Sequence, residues 1–293
     1  MDVLIRARQS LDRLSASERR VADAVLADPE LVRTSTIMRL AEVSGASQST
    51  VARFCQSLGY PGYREFRLDV IAALSRDQAQ RISFDIGEGE IGPDDTIADT
   101  VAKIAFQEMQ AIQDTAHSLD TGAVAQAVAA IRGARRIELY GAGASSLSAQ
   151  DLFQKLSRIG RPAGVSVDIH LALVQAALLD DAAVAIGVSF RGETRETLDF
   201  LTTAGRTGAL TIGITNAAES SLDDVCDIVL RTSVRESRFR SGAMASRIAQ
   251  LALIDILFVL ALRQDFPQMT ESLRRTYDAV QSRRPDTGAV ETG

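Results

Sequence analysis

The chain has 293 residues, 46% hydrophobic and 24% charged, with 20 Gly, 6 Pro and no Trp. That length fits two domains of ordinary size. The composition supports a packed core and excludes a chain that is mainly disordered, collagen-like or a coiled coil alone. Net charge is −6, from 32 Lys and Arg against 38 Asp and Glu, which argues against a surface that coats a polyanion all over. The charge is unevenly spread. Residues 1–81 hold twelve Arg, no Lys and ten acids (+2), residues 82–126 hold one Lys and nine acids (−8), and the remainder is neutral.

Cys55 and Cys226 lie far apart beside apolar residues, the pattern of reduced core thiols in a cytoplasmic protein rather than of a disulfide framework. No charged, apolar, small-residue series opens the chain, so no signal peptide is expected. The apolar stretch from Ile248 to Leu262 contains Gln250 and Asp255 and reads as a buried helix, with no membrane partner expected. The two histidines, His117 and His170, have no metal-ligand spacing, and no metal or cofactor is expected.

In chain order, Ser15 and Glu18 form a capping box before Val21, Ala22, Val25 and Leu26, a helix that Asp28 and Pro29 end. A short amphipathic helix follows from Thr36 to Val43, with Ile37, Leu40 and Ala41 inward. Ser44, Gly45 and Ala46 make a turn. The next helix runs from Ser47 to about Leu58 with Val51, Phe54, Cys55 and Leu58 on one face. Residues 59–62 break it, and a helix resumes from Tyr63 to about Leu74. Residues 82–98, rich in acids, Gly and Pro, read as a linker, followed by helices at about 99–116 and 122–133. Strands are then expected at 137–140, 163–167, 183–188, 209–215 and 227–230. Helices fall between them, a long apolar helix covers 242–263, and a disordered tail runs from about 281. That alternation predicts a parallel sheet covered on both faces.

Two short helices around Ser44, Gly45 and Ala46 have helix-turn-helix spacing. Gln48, Ser49, Thr50 and Arg53 are expected to point outward, with donors and acceptors suited to base edges. Arg39, Arg64 and Arg67 flank them as candidate phosphate contacts. The same spacing also fits a small helical packing unit with a solvated polar face, and Tyr63 is expected to pack against Phe66 or the preceding helix. In the second half, Gly141, Gly143, Ser145 and Ser146 follow one strand, and Ser189, Arg191, Gly192, Glu193 and Thr194 follow another. Such turns at the carboxyl ends of parallel strands receive phosphates or polyols; equally, their glycines could only shape turns and their serines only cap helices. A dinucleotide site is disfavoured, because Ser146 stands where the third glycine belongs and no acid follows about twenty residues on. His170 and Glu236 are candidate bases or hydroxyl ligands, and Arg235, Arg238 and Arg240 are a candidate anion-attracting cluster or a solvated segment.

Two long stretches carry a resemblance. Residues 14–23 and 47–66, with Arg53, Phe54, Leu58, Gly59 and Phe66, resemble the N-terminal domain of RpiR-type (MurR/RpiR) transcriptional regulators. Residues 140–146, 186–194, 212–216 and 239–255 resemble their sugar isomerase (SIS) domain. The resemblance implies an all-helical helix-turn-helix domain over 1–81, an acidic linker over 82–98, and over 99–280 a three-layer α/β/α SIS domain with a five-stranded parallel sheet. It also implies a cytoplasmic homodimer or homotetramer on a palindromic double-stranded operator, responding to a sugar phosphate and catalysing nothing; an aldose–ketose isomerase is the alternative. In this pattern Ser145, Ser146, Ser189 and Thr194 fall at phosphate positions, Glu236 near the carboxylate of SIS isomerases, and His170 where such regulators often carry His. Arg191 departs from the family's hydroxyl in the second loop. It could grip phosphate through its fork, leave a smaller pocket, or take a carboxylate instead.

Overall fold

The structure, a computed structural model, describes residues 3–83, 91–234, 243–263 and 266–281. The first half is helical: α1 (Val3–Gln9), a 3-10 turn (Leu11–Arg13), α2 (Ala16–Ala27), α3 (Pro29–Thr34), α4 (Ile37–Val43), α5 (Gln48–Ser57) and α6 (Tyr63–Ser83). Ser15 caps α2 by accepting from Glu18 N, and the Glu18 carboxylate accepts from Ser15 N at 3.0 Å, so two orphan amides are satisfied reciprocally. Asp28 and Pro29 do more than stop α2. Asp28 accepts from Leu31 N and Pro29 takes the first helical position, which starts α3. α6 runs on to Ser83, well past the end expected at Leu74.

Phe66 organises this helical core. It is fully buried, edge-on to Phe54 at 5.5 Å and to Tyr60 at 5.6 Å. Tyr63 packs beside it at 6.4 Å, as expected, and donates its hydroxyl to Ser35 O at 3.0 Å. Val21, Val25, Leu40, Val51 and Val70 complete the cluster. Burial pushes the Cys55 thiol up to about 12 and likewise the Cys226 thiol; both are free of disulfides.

The second half begins with α7 (Ile97–Ser118) and α8 (Thr121–Gly133). It continues with β1 (Arg136–Gly141), α9 (Ser145–Arg158), β2 (Ala163–Ser166), α10 (Ile169–Ala176), β3 (Ala183–Val188), α11 (Arg195–Arg206), β4 (Leu210–Thr215), α12 (Leu222–Val225) and β5 (Ile228–Arg231). α13 (Met244–Arg263) and α14 (Phe266–Gln281) close the described chain. The five strands are parallel in the order β2-β1-β3-β4-β5. α8, α9 and α13 cover one face and α10, α11 and α12 the other, the expected three layers. β3 is central and buried along its whole length, hence its apolar run without alternation.

α13 is the one described helix long and apolar enough to cross a membrane by length and composition. Here its Ala249, Leu253, Ile254, Leu257 and Ala261 are buried, and it packs on α7, α8 and α9. Lys155 of α9 ties it with an ion pair to Asp255 at 2.7 Å. The acidic stretch expected as a linker falls partly, and the tail almost entirely, outside the described residues.

The capping box gives a pH-dependent contribution. Hydrogen bonds from Ser15, first from its side chain, hold the Glu18 carboxyl below its ordinary value of 4.5. A depressed folded-state value means stability that is present above the unfolded value and lost as pH falls through the folded one. Glu18→Gln should therefore lower stability at neutral pH, by about 0.5–1 kcal/mol. In urea unfolding, the gap from the parent should close as the pH drops below the ordinary carboxylate range.

Candidate nucleic-acid interface and effector cleft

The turn between α4 and α5 is fixed by its own backbone. Ala46 N donates to Ala41 O at 2.8 Å, Gly45 adopts φ +59°, and Arg20 donates to Gly45 O at 3.3 Å. Ser47 then caps α5, accepting from Thr50 N at 3.2 Å. Gln48, Ser49 and Arg53 are exposed on α5, as expected of a base-reading face. Thr50 is not: it is buried, its hydroxyl 2.9 Å from Ser47 Oγ. The spacing contains the reason, since Thr50 stands one turn before the buried Phe54 and shares its side of the helix. Gln56 is exposed too, seven residues after Ser49 and three after Arg53, on the same side of α5.

The flanking arginines separate. Arg39 is exposed and paired with Glu42 at 2.8 Å, and Arg64 is exposed. Arg67 is half-buried and donates to Arg33 O at 2.8 Å, so it braces α6 against α3.

The second cleft follows from strand order. In a 2-1-3-4-5 sheet the chain leaves β1 toward β2 on one side and leaves β3 toward β4 on the other, so the loops after β1 and β3 part to form a crevice. Gly141 and Val188, the last residues of those strands, are register partners. The two Gly- and hydroxyl-rich loops therefore stand side by side. Ser145 begins α9 at 6% exposure, and its hydroxyl, which has no hydrogen-bond partner among the described residues, is not one of the buried unsatisfied polar atoms, so it reaches solvent at the cleft. Ser146 instead spends its hydroxyl on Gly143 O at 2.7 Å, closing the turn in which Gly143 adopts φ +57°. A side chain at Gly141 would meet Ser145 O at 2.8 Å, so the strand passes close under the helix start. In the second loop Ser189 is buried, with its hydroxyl 2.9 Å from that of Thr194.

Other expected contacts lie elsewhere. Glu193 is turned to Ser221, accepting from its N at 2.8 Å and its hydroxyl at 2.6 Å, which holds the Glu193 carboxyl below the usual carboxylate range. Arg191 is exposed rather than folded over the cleft, a placement that does not favour an anion grip, and His170 on α10 is exposed as well. Glu236 and the neighbouring Arg235, Arg238 and Arg240 lie outside the described residues. Two braces went unassigned in the sequence. Thr215 donates to Phe190 O at 3.1 Å, and Asn216 accepts from Val234 N at 2.7 Å, together fixing the second loop to the ends of β4 and β5. Ser148 and Gln250 form a buried hydrogen bond of 2.8 Å that ties α9 to α13.

A helix-turn-helix head followed by a doubly wound sheet with a hydroxyl-lined mouth defines a ligand-responsive DNA-binding protein. Comparison with known proteins agrees for both parts. Residues 1–77 match the model of the helix-turn-helix domain of the rpiR family, and residues 130–260 that of the SIS domain. An uncharacterized HTH-type transcriptional regulator of Caldanaerobacter subterraneus subsp. tengcongensis is 34% identical over 283 residues, covering 97% of this chain and 98% of the relative. The NanR protein of Vibrio vulnificus, solved in complex with ManNAc-6P, superposes with a TM-score of 0.61 at 28% identity, over 97% of this chain and all of that one. The sugar isomerase domain of an RpiR transcription factor from Sphaerobacter thermophilus shares the fold, with a TM-score of 0.56 at 22% identity over 61% of this chain and 98% of that one. The chain belongs to the RpiR family of helix-turn-helix transcriptional regulators. It is a DNA-binding regulator with a SIS sensing domain, not an enzyme.

Gly192 sits at φ +72°, and a Cβ there would run into the side chain of Ser220. Gly143 has a similar φ and open space around it. Gly192→Ala should therefore add a steric cost to the roughly 1–2 kcal/mol left-handed penalty that Gly143→Ala carries alone, reaching about 2–4 kcal/mol in urea unfolding.

Proposed function

We propose that this regulator is a cytoplasmic homo-oligomer that reads a palindromic operator with α5 and is switched by a phosphorylated sugar held between the loops after β1 and β3. Its working parts are a DNA-reading head over residues 1–81, a connecting segment over 82–98, and a sensor over 99–280, with a tail from 281. Ser145 is the observation that carries the effector reading. Its hydroxyl has no internal partner among the described residues and is not one of the buried polar atoms left unsatisfied, so it opens to the mouth of the sheet, where a ligand can take the place of solvent. Ser189 and Thr194, side by side in the neighbouring loop, add two hydroxyls to the same crevice. The ManNAc-6P complex of Vibrio vulnificus NanR supports a phosphorylated aminosugar as the class to test first.

On DNA, Gln48, Ser49 and Arg53 supply the base-reading side chains, and Arg39 and Arg64 position the head on phosphates. A two-fold oligomer places two such helices about 34–36 Å apart, or at a multiple of it, to match the half-sites of a palindrome. With a head at only +2, specific binding depends on these placed arginines and on pairing of heads rather than on bulk charge.

Operator duplexes obtained by selection from random sequence give the first test. Arg53→Ala should weaken the selected duplex about tenfold or more and a scrambled duplex much less. An equal loss on both would make Arg53 a phosphate contact. For the sensor, a thermal-shift series with hexose and aminosugar phosphates, N-acetylmannosamine 6-phosphate among them, should show a rise in Tm for at least one compound. The Ser145→Ala, Ser189→Ala double variant should lose that rise while keeping unliganded duplex affinity. A rise unchanged in the double variant would place the effector elsewhere.

A further inference from the structure

Residues 216–221, between β4 and α12, are gripped from several sides. Toward the proposed effector cleft, Glu193 holds Ser221 through two hydrogen bonds, Asn216 N donates to Phe190 O at 2.9 Å, and Gly192 leaves the space that Ser220 fills. Beneath, Arg231 Nε donates to Ala217 O at 3.1 Å and to Ala218 O at 3.0 Å, and its Nη2 pairs with Asp223. Outward, Glu219 meets Arg13 of the helical head at 3.3 Å.

A cavity of about 310 Å³ opens at this junction, with Arg6 and Arg13 on the head's side and Asp120, Ala218 and Arg231 on the sensor's. Three guanidinium groups around one cavity suggest an anion site, but their partners argue otherwise. Arg13 and Arg231 are each matched by an acid, and Asp120 lies on the same wall. Arg6 is committed to the head, donating to Leu58 O at 2.9 Å with its guanidinium 5.2 Å from the centre of the Tyr60 ring. The cavity is a joint between two units. Leu58 is the C-cap of α5, so Arg6 carries the joint directly to the end of the DNA-reading helix.

From these contacts we infer that residues 216–221 are a relay between the 189–194 loop and the helical head, in which Glu193 is a positioning residue rather than an effector contact. The relay rests on the effector reading above. A ligand that reorders residues 189–194 changes the hold of Glu193 on Ser221, and with it the place of Glu219 under Arg13. The last link is exposed on both sides, and exposed ion pairs are individually weak. The head therefore rests lightly on the sensor, and DNA competes for it. Coupling of this kind is reciprocal, so a head drawn away by DNA also loosens the cleft.

Hydrogen exchange on the full chain tests the relay without an effector. Glu193→Gln should speed exchange about two- to fivefold in peptides covering 3–13 as well as 216–221, leaving those from α9 and β2 unchanged. Glu193→Asp, which keeps the charge, should fall in between. In a Glu219→Gln background, Glu193→Gln should have no further effect on 3–13, and the charge-reversed pair Arg13→Glu, Glu219→Arg should restore the response. Faster exchange at 216–221 with none at 3–13 would overturn the relay. Should Glu193→Gln unfold the sensor, Ser221→Ala removes half of the same clasp and is read in the same way. A separate arm with N-acetylmannosamine 6-phosphate, and inorganic phosphate as control, reads protection of residues 189–194. Its failure beside an intact 3–13 response would retire the sugar-phosphate reading and leave the relay standing.

Discussion

The pairing of β1 with β3 is the constraint on which the sensor depends. Parallel strands need crossovers; the one from β1 goes one way to β2, and the one from β2 returns past β1 the other way to β3. Right-handed connections then force α9 and α10 onto opposite faces of the sheet. With Gly141 and Val188 in register, the chain leaves the sheet twice at the same level, and the two hydroxyl-bearing turns have nowhere to go but beside each other. The central strand accepts burial on both faces, and the order of the remaining elements follows from covering it. A slip of one residue in this register would turn Ile137, Leu139, Val184 and Ile186 away from the core that α8, α9 and α13 complete.

Much of this architecture was legible because each half has its own period. Inward residues three and four apart marked α2, α4 and α5, and short β-branched runs ending in Gly, Ser or Thr marked the strands. Some elements were legible only in part or not at all, these for local reasons. α1 and α3 are too short to show a period, and the Pro29 that reads as a stop is also the residue best suited to begin a helix. α6 continues to Ser83 through Arg76, Asp77 and Gln78, a polar stretch that offers no apolar stripe to count.

The sites were legible as loops and less so as side chains. Spacing located both Gly-rich turns, but it could not say which hydroxyls remain available. Ser146 closes its own turn, Ser145 does not, and Glu193 faces Ser221 across a gap of 28 positions in sequence. Thr50 is the converse case: a polar residue at the start of a reading helix was taken as outward, although its place one turn before Phe54 put it inside. Local polarity suggested function at both positions, whereas packing with residues elsewhere decided it.

The two thiols have a consequence for signalling. Sulfur responds to oxidants and electrophiles through its thiolate, and with burial raising both groups to about 12 almost none of either is ionised near neutrality. Cys55 sits in the core that holds α5 in place, where oxidation would disturb the packing beneath the proposed reading face. Burial that keeps the thiol protonated disfavours its reaction at that point. The same inertness suits the molecule to spectroscopy, because a reporter on an introduced surface cysteine would not compete with the native pair.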